Sequence, residues 1–323
     1  MTITKTIVDF LEYMEIERGR AIASVKNYDH YLRVFAGFAK EKGIDDPTKI
    51  NQDLVRQFRL DLNRKTLVGK NTQNYYLIAL RSYLKYLARK GIQTLDANQI
   101  ELAKSSERQI TFLTDEELEN LLSQPDKNTI QGVRDKAILN LLFSTGLRVS
   151  EASNLKKDQI NLEKKEFSIK GKGGKIRVVF MDDPSKEAIK KYLAARTDDS
   201  EYLFLSYGHT NKQTAHRLQT ADVRSLPITP RSIQRMIHKY ALSAGITKDV
   251  TPHTMRHSFA TDLLMNGADL RAVQSLLGHS SVTTTQIYTH VTDQHLQDVH
   301  EAFHGRKRQE SEGKNDELEK ASE

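Results

Sequence analysis

Helical spacing of apolar residues runs through most of this 323-residue chain and gives way to a period of two in one place, residues 166–180. There Phe167-Ser168-Ile169-Lys170 and Ile176-Arg177-Val178-Val179-Phe180 flank Gly171-Lys172-Gly173-Gly174-Lys175, the pattern of a β-hairpin with a basic, glycine-rich tip. A single hairpin among many helical stripes restricts the fold to a mainly α protein with a small β-sheet. The tip does not match a nucleotide P-loop: GKGGK lacks the GxxxxGK[ST] spacing, and no helix follows it directly.

The first ninety or so residues read as four helices. Ile7, Phe10, Leu11 and Met14 form one stripe, and Val25, Tyr28, Leu32 and Phe35 a second. Leu54, Val55, Phe58 and Leu62 form a third; Tyr76, Leu80, Tyr83, Leu84 and Leu87 form a fourth. Gly19, Gly43 with Pro47, Gly69 and Gly91 separate them. Residues 1–95 carry 17 Lys and Arg against 10 Asp and Glu, so the whole net charge of +7 resides in this segment. Such a basic module favours a polyanionic partner.

Apolar rhythm lapses over residues 96–110, which read as a linker. A second domain then spans 111–304. Thr114 and Glu117 are spaced for a capping box, and Val133 to Ser144 is apolar on most faces, as expected of a central core helix. Gly146 is placed to end that helix in a left-handed cap, with a short helix starting again at Leu147–Glu151. Residues 207–228 are polar and long for a connection within a domain. Residues 305–323 are a charged tail, expected to be disordered.

Several function classes fall away. No apolar run reaches the length of a bilayer span, and the N-terminus lacks a signal-peptide pattern. The chain has no cysteine, which removes disulfides, thiol nucleophiles and Cys-based zinc sites and fits a reducing cytoplasm. Spacing alone does not dismiss a Ser-His-Asp hydrolase, but no GxSxG elbow is present.

Chemistry-bearing residues concentrate between Thr251 and Tyr288. Thr251 suits an N-cap, Pro252 a first helical position and Gly267 a stop, so His253, Arg256 and His257 share one helix face at i, i+3 and i+4. The two histidines have zincin spacing, but position 254 is Thr where that chemistry needs Glu, so no metal site is expected. A second helix, about Asp269 to Leu277, ends at Gly278 before His279, with Tyr288 nine residues further on. A phenol, imidazoles, guanidiniums and a lysine suit attack on a phosphodiester. Planar Arg forks neutralise the developing phosphorane bidentately, and a phenol of ordinary pKa near ~10 needs a base to become a good nucleophile.

TGLRVSEASNL (145–155), IKGKGGKIRVV (169–179), HTMRH (253–257) and LLGHSSVTTTQIY (276–288), in that order, resemble the tyrosine site-specific recombinases, and the layout is most similar to the Xer type. The resemblance covers residues 4–304 and implies an N-terminal SAM-like DNA-binding domain (1–95) and an α+β catalytic domain (111–304), closing on DNA as a C-shaped clamp. It assigns Arg148 and Arg256 to the nonbridging oxygens of the scissile phosphate. Lys172 becomes the general acid for the 5′-hydroxyl, with Lys175 the second candidate. By the same resemblance His253 accepts or relays the Tyr288 proton and His279 hydrogen-bonds the phosphate. Tyr288 is the nucleophile that forms a 3′-phosphotyrosyl link, and Glu151 positions its neighbours. Two departures stand out: Met255 where Leu is common, and the long 207–228 segment.

The implied activity is metal- and ATP-independent site-specific recombination of double-stranded DNA, without cofactor, by a homo-tetramer or a hetero-tetramer with a second recombinase. Its implied setting is chromosome-dimer resolution in the cytoplasm, on the nucleoid, with a septal DNA translocase as a further partner. A mobile-element integrase, a relaxing type IB topoisomerase and a catalytically idle DNA-binding protein of the same fold are the alternatives.

Overall fold

The computed structural model describes residues 1–64, 68–104, 111–171, 176–207 and 226–278. It divides into two compact units, Met1–Arg108 and Gln109–Glu323. The 208–225 stretch, the segment after Gly278 and the charged tail lie outside the described residues.

Four helices build the first unit: α1 (Ile3–Glu12), α2 (Ile22–Glu41), α3 (Gln52–Arg64) and α4 (Lys70–Arg89). Each turns its expected stripe inward. Ile7, Phe10, Leu32, Phe35, Phe58, Leu62, Leu80, Tyr83 and Leu87 are all buried in one core. Rings interlock there, Phe35 against Phe58 at 5.1 Å between centroids and Phe10 against Tyr86 at 5.4 Å, the tilted and edge-on arrangements that aromatic quadrupoles favour. Tyr83 is fully buried, and its hydroxyl is paired with Thr6 Oγ1 at 2.5 Å. Burial pushes that phenol up to about 12. One feature has no counterpart in the sequence pattern: α1 runs into a π-helical turn, Tyr13–Glu17, before Gly19 breaks it.

Residues 96–110 read as a linker from sequence, yet Ala97 and Ile100 are buried in the first unit's core. The Asn74 side chain also pairs with the Ala103 backbone on both sides, donating to its carbonyl at 2.8 Å and accepting from its N–H at 3.0 Å. One amide holds the segment in a way that hydrophobic periodicity does not report.

The second unit is arranged around α6 (Ile130–Thr145), in which Ala137, Ile138, Leu139, Leu141 and Leu142 are at most 1% exposed. Before it comes α5 (Asp115–Ser123), opened by the expected Thr114–Glu117 capping box, whose carboxylate also accepts from Lys248 at 2.6 Å. The short α7 (Val149–Ser153) follows α6. A three-stranded antiparallel sheet, β1 (Ile160–Asn161), β2 (Glu166–Lys170) and β3 (Ile176–Phe180), is ordered β1-β2-β3. Phe167 faces Val179 and Ile169 faces Arg177. Phe167, Ile169 and Val179 are buried, whereas Ile176, Val178 and Phe180 are exposed on the other face. α8 (Asp183–Ala194) packs along α6, and α9 (Pro230–Ser243), α10 (Pro252–Met265) and α11 (Leu270–Leu277) complete the unit.

Candidate active site

Two helix stops build the site. α6 ends at Gly146 (φ +58°) and α11 at Gly278 (φ +64°), both left-handed, the conformation in which a Cβ is strained and glycine is not. At Gly146 a Cβ would also lie 2.5 Å from the Phe259 ring. The α6 stop turns the chain so that Arg148 precedes α7. The Arg148 backbone N–H donates to Glu151 Oε2 at 2.9 Å, an N-terminal cap of α7.

Arg256 lies in the second turn of α10, itself capped by Thr251 and started by Pro252 as expected. Its side chain joins the two stops. Nη1 donates to the Gly146 carbonyl at 2.5 Å and Nη2 to the Leu277 carbonyl at 2.6 Å. Both acceptors stand where helix carbonyls run out of helical partners and where the dipole favours a cation. Arg256 is only 5% exposed, so these bonds form in a shielded place.

Arg148 reaches the same turn, its Nη2 donating to the Gly278 carbonyl at 3.3 Å. The two guanidiniums thus hold consecutive carbonyls, Leu277 and Gly278, of one turn. Arg148 Nη1 also donates to Glu151 Oε1 at 3.0 Å. Glu151 is shared with Arg177, which sequence reading did not single out: Arg177 Nη1 meets Oε1 at 3.0 Å and Nη2 meets Oε2 at 2.7 Å. Burial alone would raise the Glu151 carboxyl, but Arg177, then the Arg148 N–H and guanidinium, overrule it and hold it at about 2. A signal for Arg177 existed: on a strand with Val179 facing inward, residue 177 must face inward too, and a charge there demands a buried counter-ion.

On α10 the three residues expected on one face differ in depth. His253 is exposed, Arg256 buried and His257 half-buried. Burial pushes the His257 imidazole down to about 4, with the nearby His253 and Arg256 adding to it. Arg148, Glu151 and Arg256 are therefore brought together, with His253 one turn before Arg256 on the same helix. Lys172, Lys175, His279 and Tyr288 lie outside the described residues. Among the described residues no three His, Asp or Glu side chains are grouped to hold a metal ion, and no helix is long and apolar enough to cross a membrane.

Comparison with known proteins identifies the family. Residues 111–295 match the phage integrase family, and residues 7–91 match the phage integrase N-terminal SAM-like domain. A protein named tyrosine recombinase XerD from Listeria monocytogenes serotype 4b (strain F2365) is 34% identical over 311 residues, covering 93% of this chain and 98% of its own. The chain belongs to the phage integrase family, as a Xer-type tyrosine recombinase. A protein named tyrosine recombinase XerC from Thermodesulfovibrio yellowstonii is 36% identical over 303 residues, covering 92% of this chain and 95% of its own. The fold is shared with the XerH site-specific recombinase bound to palindromic difH substrate, at TM-score 0.66, 23% identity and coverage of 88% and 81% of the two chains. A lambda integrase (75–356) dimer on a COC′ core site shares it too, at TM-score 0.67, 17% identity and coverage of 88% and 97%. As a tyrosine recombinase, the chain is an enzyme of site-specific DNA breakage and rejoining.

Proposed function

We propose that this tyrosine recombinase cuts and rejoins double-stranded DNA at its site through a 3′-phosphotyrosyl intermediate on Tyr288. The observation that carries the reading is the pair of guanidiniums, Arg148 and Arg256, held on consecutive carbonyls of the turn that ends at Gly278. Two planar forks at one turn suit the two nonbridging oxygens of a phosphodiester, and fixed guanidiniums stabilise the phosphorane without reorganising as it forms.

In the first step Tyr288 Oη attacks phosphorus and passes its proton to His253, whose exposed place at the start of α10 suits a proton acceptor. The P–O5′ bond breaks, and the leaving 5′-oxygen takes a proton from Lys172, which lies between β2 and β3 in sequence. His279 hydrogen-bonds the phosphate. The tyrosyl phosphodiester conserves the energy of the DNA bond, so attack by a 5′-hydroxyl of the partner strand reverses the chemistry without ATP.

The excess of Lys and Arg in residues 1–95 supplies contacts to the DNA backbone, and binding weakens steeply with salt. Four protomers act on two sites, as a homo-tetramer or with a second recombinase. The setting is resolution of chromosome dimers on the nucleoid, with a septal DNA translocase as activator, in keeping with relatives named XerC and XerD.

Covalent trapping tests the proposal. On a nicked duplex the wild-type chain forms a denaturation-resistant protein–DNA adduct, and Tyr288→Phe forms none. Tight, site-selective binding with no adduct from the wild type would refute the assignment of Tyr288 and favour a binding protein of the same fold.

A further inference from the structure

We infer that Arg177 is a positioning residue for the strand-cleavage step, acting through Glu151 on Arg148; the inference rests on the reading of Arg148 as a phosphate clamp. Four observations converge on it. The first is saturation. Both Glu151 oxygens accept twice, Oε1 from the Arg148 and Arg177 guanidiniums and Oε2 from Arg177 and the Arg148 N–H. Second, the depths are ordered. Glu151 and Arg177 side chains are 10% and 12% exposed, while that of Arg148 is 35% exposed, so the buried pair forms a base under the clamp that faces solvent.

The third observation is close packing. A Cβ on Gly278 would lie 2.9 Å from Arg177 Cδ, so the Arg177 stem rests against the turn whose carbonyls Arg148 and Arg256 hold. Fourth, Arg177 is the second residue of β3, the strand that follows Gly171–Lys175 in sequence. One side chain therefore touches the carboxylate behind Arg148 and the 277–278 turn, and belongs to a strand that begins four positions after Lys172 in sequence. An Arg fork meets a carboxylate in one plane, which fixes the Glu151 rotamer, and Glu151 in turn fixes Arg148.

A purely structural counter-ion would only need charge; a positioning residue needs the fork. Arg177→Lys keeps the charge and loses the planar two-pronged geometry, and it separates these roles. Arg177→Gln, which keeps a planar donor without charge, is the second variant. The full-length chain is assayed on a nicked duplex bearing the sequence it selects from random DNA. DNA affinity, thermal midpoint and the single-turnover rate of adduct formation are measured.

We expect Arg177→Lys to bind within about threefold of wild type and to unfold at a similar temperature. Its cleavage should be slower by about tenfold or more, as small misplacement of a catalytic group commonly causes. The decisive readout is the same duplex with a methylphosphonate at the scissile position, which lacks the charge Arg148 neutralises. There the defects of Arg177→Lys and of an Arg148→Lys benchmark should both shrink. Cleavage by Arg177→Lys at the wild-type rate would overturn the inference, as would a slow rate that the neutral linkage leaves unchanged while it relieves Arg148→Lys. If Arg177→Lys fails to fold, Arg177→Gln is judged by the same two rates. Absence of any wild-type adduct would instead overturn the recombination chemistry proposed above, and this inference with it.

Discussion

Arg148 and Arg256 are assigned the same task on the phosphate, but their replacement should have different effects on the fold. Arg256 is 5% exposed and donates to carbonyls at the ends of two helices, Gly146 at 2.5 Å and Leu277 at 2.6 Å. Hydrogen bonds from a charged donor contribute roughly 1.5–3 kcal/mol each, so loss of the two in Arg256→Ala removes about 3–6 kcal/mol. Arg148 is more open, its contact with Gly278 is long at 3.3 Å, and Glu151 keeps Arg177 when Arg148 is gone. Arg148→Ala should therefore cost about 1 kcal/mol or less. For a unit of this size each kcal/mol shifts the midpoint by roughly 2–4 °C, so calorimetry of the full chain should show a drop of about 10 °C for Arg256→Ala and about 3 °C for Arg148→Ala. Both variants should lose adduct formation. Equal midpoints for the two would refute the account of Arg256 as a cross-link between helix ends, and loss of activity in Arg256→Ala could then be read as chemistry alone.

Three further outcomes are expected. Gly146→Ala combines a left-handed φ with a Cβ 2.5 Å from Phe259 Cδ1 and should destabilise by about 2–4 kcal/mol, measured by denaturant unfolding. Acid should weaken the second unit in two stages. His257, held at about 4 against an ordinary 6.5, retains full stability above 6.5 and loses it as pH falls toward 4; Glu151, held at about 2 against 4.5, loses its share between 4.5 and 2. Each stage amounts to at most roughly 3 kcal/mol, less to the extent that solvent screens these partly open groups, and His257→Asn should flatten the upper one in a midpoint-versus-pH series. Asn74→Ala should release residues 101–104 and speed amide exchange at Ala103, which now donates to the Asn74 side chain, with a stability loss of about 1–2 kcal/mol.

The helices and their stops were legible because each rests on a local rule: 3.6-residue stripes for α1–α4, side-chain caps at Thr114 and Thr251, and glycine at the two left-handed positions. Arg148, Glu151 and Arg256 were legible from motif and family resemblance together, since 108 residues separate the two arginines and spacing alone cannot pair them. What escaped has no local rule. Arg177 sits in a short strand where attention falls on the apolar alternation. The Asn74–Ala103 pairing crosses 29 positions. The π-helical turn at Tyr13–Glu17 leaves no periodic mark. Depth along α10 was also hidden, because that helix is buried on most sides and only the fold decides that His253 is outside and Arg256 inside.

The two helix stops also set the charge balance that a substrate meets. A helix end carries about half a negative charge, so the α6 and α11 termini together offset the single positive charge of Arg256. Arg148 and Arg177 share one carboxylate, Glu151, which leaves one positive charge over among the described groups. One phosphodiester brings one negative charge. On the proposed reading, the described groups therefore carry one positive charge in excess before DNA arrives, on the more exposed arginine. A single anion therefore brings these described groups to neutrality, and a second gains little by entering.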